Sequence, residues 1–95
     1  GSPEVIRLHP GYVTRVQCEG RLLVSAVGSD SIVRLEALPK ELGCAVLLKP
    51  MTGAGRTNLI LETSAGTIER VIEITPGKST PHRKDLHFRF HGVTL

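Results

Sequence analysis

The stretch TNLILETSAGTIERVIEIT, residues 57–75, decides the fold class of this 95-residue chain. In its first half Leu59 and Leu61 fall on one face of an extended backbone, because side chains alternate between the two faces of a strand. A short Ser-Ala-Gly connection follows, in which Gly66 is free to adopt a positive φ angle. The second half is rich in isoleucine and valine, which favour strands. The stretch therefore predicts two antiparallel strands joined by a tight loop.

Short stretches with the same character precede this hairpin and are separated by clusters of turn residues. The Pro10-Gly11 pair and the Gly-Ser-Asp-Ser cluster at residues 28–31 are strong turn signals. Such signals recur about every 8–12 residues, and no segment has a convincing helical pattern. We therefore predict an all-β fold, a single-domain antiparallel β-sandwich of about eight short strands. The residues predicted to lie in or near the core are apolar and have strand spacing: Val16, Leu23, Val33, Leu35, Val46, Leu48, Leu59, Leu61, Ile72 and Ile74.

Composition limits both the core and the functions open to the chain. Apolar residues make up 40% of the sequence and aromatic residues only 3%, so valine, isoleucine and leucine must form the core. A domain of this size buries roughly 60–70% of the surface that its unfolded chain exposes. One core is feasible, but little room is left for a deep catalytic cleft. No apolar run approaches the ~18 residues of a membrane helix, so no transmembrane segment is predicted.

The two ends of the sequence differ in character from the middle. Residues 1–2, Gly-Ser, are typical of a cloning scar, so we expect the natural N-terminus upstream and leave open a signal sequence removed from it. We assign residues 3–77 to the sandwich and residues 78–85 to a linker. Residues 86–95 are predicted to form a basic strand docked on the sandwich, because both phenylalanines of the chain lie there.

Cys18 and Cys44 are the two cysteines of the chain. Their spacing matches neither a zinc site nor a redox-active C-x-x-C motif. Two interpretations stay open at this point. Small exported domains often use a disulfide, and in that case the two residues are joined. Otherwise they are two buried thiols.

The net charge of +3 arises in the C-terminal region. Residues 1–77 contain eight basic and eight acidic residues, so the excess lies in residues 78–95. This argues against a globally basic nucleic-acid-binding surface. The segment HRKDLHFRFH at residues 82–91 interleaves basic and aromatic side chains. Three interpretations stay open for it: stacking on a nucleic acid, an amphipathic strand with a basic outer face, or an exposed strand that binds a partner.

The stretch KPMTGAGRTNL, residues 49–59, has the glycines of a phosphate-binding loop but not its context. A Walker loop ends in Gly-Lys-Ser/Thr and opens a helix, whereas this stretch leads into a strand. His87 and His91 share one face of a strand about 13–14 Å apart, which is too far for one metal ion. No nucleophile elbow is present, and the only aspartates, Asp30 and Asp85, lie in a turn and a linker. We therefore predict no catalytic, cofactor or metal site, no small-molecule substrate and no enzyme.

The same stretch is the most specific part of a resemblance that covers residues 5–75. Three segments match a known pattern: HPGYVTRVQ at 9–17, VSAVGSDSIVRL at 24–35 and VLLKPMTGAGRTNLILET at 46–63. They resemble the N-terminal β-sandwich domain of the CagX/TrbG-type outer-membrane core-complex proteins of bacterial type IV secretion and conjugation systems. The later stretch TIERVIEI fits the return strand of that domain. The cysteine pair and the basic segment are not part of the family's pattern.

This resemblance implies a function without catalysis. Such proteins lie in the periplasm and are subunits of a ring-shaped core complex at the outer membrane. On this basis we predict a structural, protein-interaction module that packs side by side with identical domains in a periplasmic ring, with other subunits of the secretion complex as partners. The alternative is a β-domain that binds nucleic acid or another anionic ligand through the basic C-terminal strand. A ring needs a heterologous interface, and the candidate contact residues are Arg56, Arg83, Lys84, His87, Arg89 and His91.

Overall fold

The computed structural model describes residues 4–76 and the backbone of residues 85–87. In these residues the chain forms eight strands and one short 3-10 helix, Lys40–Leu42. In chain order the strands are β1 Val5–Leu8, β2 Thr14–Gln17, β3 Leu22–Val27, β4 Val33–Ala37, β5 Ala45–Pro50, β6 Gly55–Thr63, β7 Gly66–Ile74 and β8 Asp85–His87.

The strands form two four-stranded sheets. The first has the order β1-β7-β6-β3 and the second the order β4-β5-β2-β8. All neighbours are antiparallel except β1 with β7 and β8 with β2, which are parallel. The inner faces of the sheets enclose one apolar cluster, and no α-helix occurs in the described part of the chain. The predicted all-β sandwich is therefore confirmed.

The longest strand pair is the hairpin predicted from residues 57–75. β6 and β7 pair without interruption from Gly55 opposite Ile74 to Thr63 opposite Gly66. Gly66 has a φ angle of 145°, and the Thr63 hydroxyl donates a 3.0 Å hydrogen bond to its carbonyl. The same hydroxyl accepts a 3.0 Å hydrogen bond from the Ala65 amide. Because the short loop satisfies its own polar groups, it fixes the register of the whole hairpin.

Eight of the ten predicted core residues are buried in the structure, while Leu35 is only partly buried and Leu23 is exposed. The prediction for Leu23 is wrong. The prediction also omitted apolar residues that the structure buries, and these come largely from the flanks of the chosen stretches: Ile6, Leu8, Cys18, Cys44 and Ile68.

A β-bulge explains the exposure of Leu23. On β3, Leu22 lies opposite Thr63, whereas Val24 lies opposite Glu62, so two steps along β3 match one step along β6. The inserted residue shifts the alternation of side chains by one position. As a result, Leu23 is 55% exposed and Val24, its neighbour, is 48% exposed.

The two cysteines are joined in a disulfide in the structure. Cys18 follows β2 and Cys44 precedes β5, its neighbour in the second sheet, and their Cα atoms are 5.0 Å apart. The Cys18 amide also donates a 2.8 Å hydrogen bond to the Cys44 carbonyl. Of the two interpretations left open by the sequence, the structure therefore has the disulfide.

Part of the C-terminal region pairs with the second sheet. Asp85–His87 runs parallel to Arg15–Gln17 of β2, so a strand begins at Asp85, which the sequence assigned to the linker. The remainder of the predicted linker and basic strand lies outside the described residues, as does the Gly-Ser pair at residues 1–2. No helix in the described ranges is long and apolar enough to cross a membrane.

Candidate interaction surface

The stretch KPMTGAGRTNL carries the chain from one sheet to the other. Pro50 ends β5 in the second sheet, and Gly55 begins β6 in the first. Between them, the Met51 amide donates a 2.8 Å hydrogen bond to the carbonyl of Ile32. The Thr52 hydroxyl donates a 2.6 Å hydrogen bond to the Ala54 carbonyl. The glycines therefore belong to a sheet-crossing turn that enters a strand, and no helix N-terminus follows that could hold a phosphate.

The strand after this turn packs against the turn at residues 28–31. The Gly28 amide donates a 3.0 Å hydrogen bond to the Asn58 carbonyl. A Cβ atom on Gly28 would clash with Asn58 Oδ1 and lie 2.8 Å from the Thr57 hydroxyl oxygen, so a larger residue there would have to displace both side chains. Two of the three segments that carry the family resemblance thus meet, and their local sequence serves the packing of the domain.

The first of those segments, HPGYVTRVQ, also has a structural role. His9 is buried, and its Nδ1 donates a 3.0 Å hydrogen bond to the carbonyl of Thr75, at the end of β7. The Thr75 amide donates a 2.8 Å hydrogen bond to the Leu8 carbonyl, and the Tyr12 amide donates a 3.2 Å bond to the His9 carbonyl. This segment therefore fastens the β1–β2 connection to the end of β7.

Arg56 lies on the outer face of the first sheet, where its side chain is exposed. The β6–β7 register places it opposite Glu73. The Glu73 carboxylate lies 3.6 Å from the Arg7 guanidinium on β1, so a row of three charges crosses the sheet. The Arg56 side chain is exposed at one end of this row, so its guanidinium has solvent-accessible N–H donors for another contact.

The side chains of the other predicted contact residues lie outside the part of the chain that the structure describes. Arg83, Lys84, Arg89 and His91 lie outside the described residues, and only the backbone of His87 is described. Among residues 4–76, no group of three or more His, Cys, Asp and Glu side chains is placed to hold a metal ion.

Arg70 is the buried basic residue of the first sheet, on the inward face of β7 between Ile68 and Ile72. Its Nε lies 3.5 Å from the exposed carboxylate of Glu4, and one terminal nitrogen donates a 2.9 Å hydrogen bond to the carbonyl of Glu69. The guanidinium therefore lies at the edge of the core, next to the exposed Glu4 that precedes β1. Its partners satisfy its charge within the domain, so we assign it a structural role.

A groove that the sequence analysis missed opens on the side of the sandwich where β3 and β4 are the edge strands. Its volume is about 370 Å³. Residues Gly20 to Leu23 line one wall, and Ala37, Leu38 and Lys40 line the other. Of residues 4–76, the charged ones that line it are Arg21 and Lys40, and both are cations. A sequence signal for this groove is the uncharged stretch LLVSAV at 22–27, which forms the edge strand β3.

A scan against protein-family models finds no match to this chain. A search of curated proteins finds no match either. The resemblance to the CagX/TrbG-type domains therefore rests on the quoted segments alone.

Proposed function

We propose that this chain is a non-enzymatic structural module of a bacterial cell-envelope secretion complex, of the type IV secretion and conjugation kind. The module packs side by side with identical copies in a periplasmic ring and contacts other subunits of the complex. The observation that carries the proposal is the sheet-crossing turn at residues 49–59, the most specific segment of the resemblance, which is set in an all-β sandwich.

The disulfide supports an exported location. Disulfides form and persist in oxidising compartments such as the bacterial periplasm, and they are rare in the cytosol. Cys18 and Cys44 are both buried and are joined across neighbouring strands, so the bond belongs to the core of the domain. A periplasmic module would form this bond during folding.

The surface chemistry also supports a protein-interaction role. Several large apolar side chains are exposed, including Tyr12, Val13, Leu42 and Met51, at 49%, 44%, 63% and 47%. They lie on connections at the ends of strands, where a rigid sandwich presents its loops to neighbours. An assembly in which copies pack side by side would cover such residues.

The test is the location and size of the complete gene product in its natural bacterium. We expect it in the periplasmic or outer-membrane fraction, in a complex many times the mass of one chain, as measured by fractionation and native electrophoresis after gentle extraction. The charge-reversal variant Arg56→Glu should shift part of the protein to smaller species, whereas Glu36→Lys on the other sheet should not. A cytosolic, monomeric gene product would overturn the proposal.

A further inference from the structure

The edge strand β3 lacks the charges that normally protect a sheet edge. Exposed edges invite pairing with other chains, and proteins usually place charged residues there. The sequences of the other described edge strands follow this rule, since β1 carries Arg7, β4 carries Arg34 and Glu36, and β8 carries Asp85. β3 has the sequence LLVSAV, and its Leu23 and Val24 side chains are exposed. β3 has another protective feature, the bulge at Leu23, but beyond the bulge Ser25, Ala26 and Val27 form a regular edge without charges. Such an edge can pair with an added strand.

The backbone of β3 offers hydrogen bonds along this edge. The Gly28 amide, directly after β3, donates to the Asn58 carbonyl on β6. Backbone groups along an antiparallel strand alternate between its two neighbours. Ala26 therefore also faces β6, while the amides and carbonyls of Ser25 and Val27 face the open side. An added strand would find two donors and two acceptors there.

The groove beside this edge supplies a place for side chains. It lies between β3 and the segment that follows β4, so every second side chain of a strand added to β3 would enter it. Leu22 and Leu38 offer it apolar walls, and Arg21 and Lys40 offer two positive charges. Within residues 4–76, no acidic residue lines it. The groove therefore favours an apolar side chain next to a carboxylate.

We propose that the β3 edge and its groove bind an extended segment of a partner protein that carries an acidic residue next to apolar ones. Main-chain hydrogen bonds to Ser25 and Val27 supply affinity, and the groove with Arg21 and Lys40 supplies specificity. This inference deepens the proposed function, because it names the surface and the chemistry through which the module takes up another subunit.

A second copy of this chain fits the edge less well than a separate segment does. Head-to-tail addition would join the β1 edge of one copy to the β3 edge of the next. Neighbouring strands rotate by about 20–25°, so a four-stranded sheet would turn by roughly 80–100° for each added copy. Repeated addition would give a twisted open filament and not the closed ring of the proposed function.

The test is a titration of the isotopically labelled 95-residue protein with two end-blocked nine-residue peptides, followed by NMR and calorimetry. In the first peptide valine alternates with aspartate and serine, and in the second each aspartate is replaced by lysine. We expect the acidic peptide to shift the amide signals of Ser25 and Val27 and to bind at least tenfold more tightly than the lysine peptide, a difference of about 1.4 kcal/mol.

Two variants address the two parts of the site. The double variant Arg21→Glu/Lys40→Glu should reverse the preference between the peptides, while the control Lys49→Glu, on the outer face of the other sheet, should leave it unchanged. Ser25→Pro removes a donor that faces the open edge, where proline is tolerated within a sheet. It should abolish binding of both peptides, and a preserved amide spectrum shows that the fold survives.

Three outcomes would overturn this inference: no binding of the acidic peptide, equal affinity for both peptides, or signal shifts away from β3. Concentration-dependent sedimentation of the protein alone with shifts on β3 would also overturn it, since a second copy then occupies the edge. None of these results bears on the cellular location or complex size of the gene product. Failure of the inference and failure of the proposed function are therefore distinguishable.

Discussion

At the scale of single residues, the β-bulge predicts opposite fates for two leucines on paired strands. Leu61 on β6 is fully buried, whereas Leu23 on β3 is 55% exposed. Replacing a buried leucine with alanine costs about 2–5 kcal/mol, because transfer energy is lost and a cavity remains. In urea unfolding we expect Leu61→Ala to lower the free energy of unfolding by about 2–5 kcal/mol. Leu23→Ala should change it by less than about 0.5 kcal/mol. Similar losses for both variants would place Leu23 in the core and contradict the bulge.

Arg70 provides a second prediction at this scale, because its buried stem and its charge can be tested separately. Methionine keeps much of the buried volume without the charge, and replacing a buried ion pair by an apolar residue is often neutral. We expect Arg70→Met to change the free energy of unfolding by less than about 1 kcal/mol. Its partner Glu4 is already 74% exposed and needs no buried cation.

Arg70→Glu should instead lose about 3–5 kcal/mol, since it buries an uncompensated charge close to Glu4. Chemical denaturation of both variants at neutral pH measures the difference. If Arg70→Met is as damaging as Arg70→Glu, the guanidinium itself stabilises the core, and the expectation that methionine can replace it is wrong. The double variant Arg70→Glu/Glu4→Arg restores a pair of opposite charges. It tests whether the stability lost in Arg70→Glu comes from repulsion by Glu4 or from burial of a carboxylate at position 70.

At the scale of elements, the turn before β3 depends on its contact with the β6–β7 hairpin loop. Gly20 has a φ angle of 83°, and a Cβ atom there would lie 2.6 Å from the Ser64 hydroxyl and 3.0 Å from the Ala65 amide. Gly11 has a similar φ of 86°, but a Cβ atom there would meet nothing within 4 Å. Alanine at either position costs about 1–2 kcal/mol in left-handed strain.

The matched pair isolates the packing between the two turns. We expect Gly11→Ala to lose only the stability that the backbone strain costs. Gly20→Ala should lose more stability than Gly11→Ala, because the hairpin loop must also move. The hydrogen bond from the Arg21 amide to the Ser64 hydroxyl, 2.8 Å long, should lengthen or break in Gly20→Ala. Thermal unfolding compares the two variants, and equal losses would show that the turns do not support each other.

Strands in which apolar and polar residues alternate were predictable from sequence. A strand whose two faces are both apolar was not, because its sequence does not show which face is buried. The β6–β7 hairpin follows from alternation around a loop that contains Gly66, and the structure has it in full register. In LLVSAV every residue but Ser25 is apolar, so the pattern carries no sign of which face is buried. The bulge at Leu23 depends on pairing with β6, a contact distant in sequence, and a local pattern does not contain it.

At the scale of the whole molecule, the sequence predicted a sandwich but not the order of its strands. That order joins β1 to β7 and β2 to β5, which are pairs made by distant parts of the chain. The groove arises from this order, because the β3 and β4 edges meet on one side of the sandwich. Arg21 and Lys40 become neighbours of one groove only there, so no spacing in the sequence could indicate a joint site.

The last prediction concerns the disulfide, which encloses the part of the chain that leaves the second sheet for β3 and returns through β4. Cys18 and Cys44 are separated by 26 residues. Closing a loop of this length lowers the entropy of the unfolded chain by an amount worth about 3–4 kcal/mol. A small domain is stable by only about 5–15 kcal/mol, so reduction should leave it folded but far less stable, with a urea midpoint lower by more than about 1 M.

Equilibrium unfolding with and without a reductant measures this loss. The double variant Cys18→Ala/Cys44→Ala is the control, because it should match the reduced protein and respond no further to reductant. Alkylation of the unfolded, unreduced protein should add no label if the bond is present. Two labels per chain, together with a urea midpoint that does not change when reductant is added, would show two free thiols. That result would also remove the main structural support for an exported location, because a reduced pair is what the cytosol maintains.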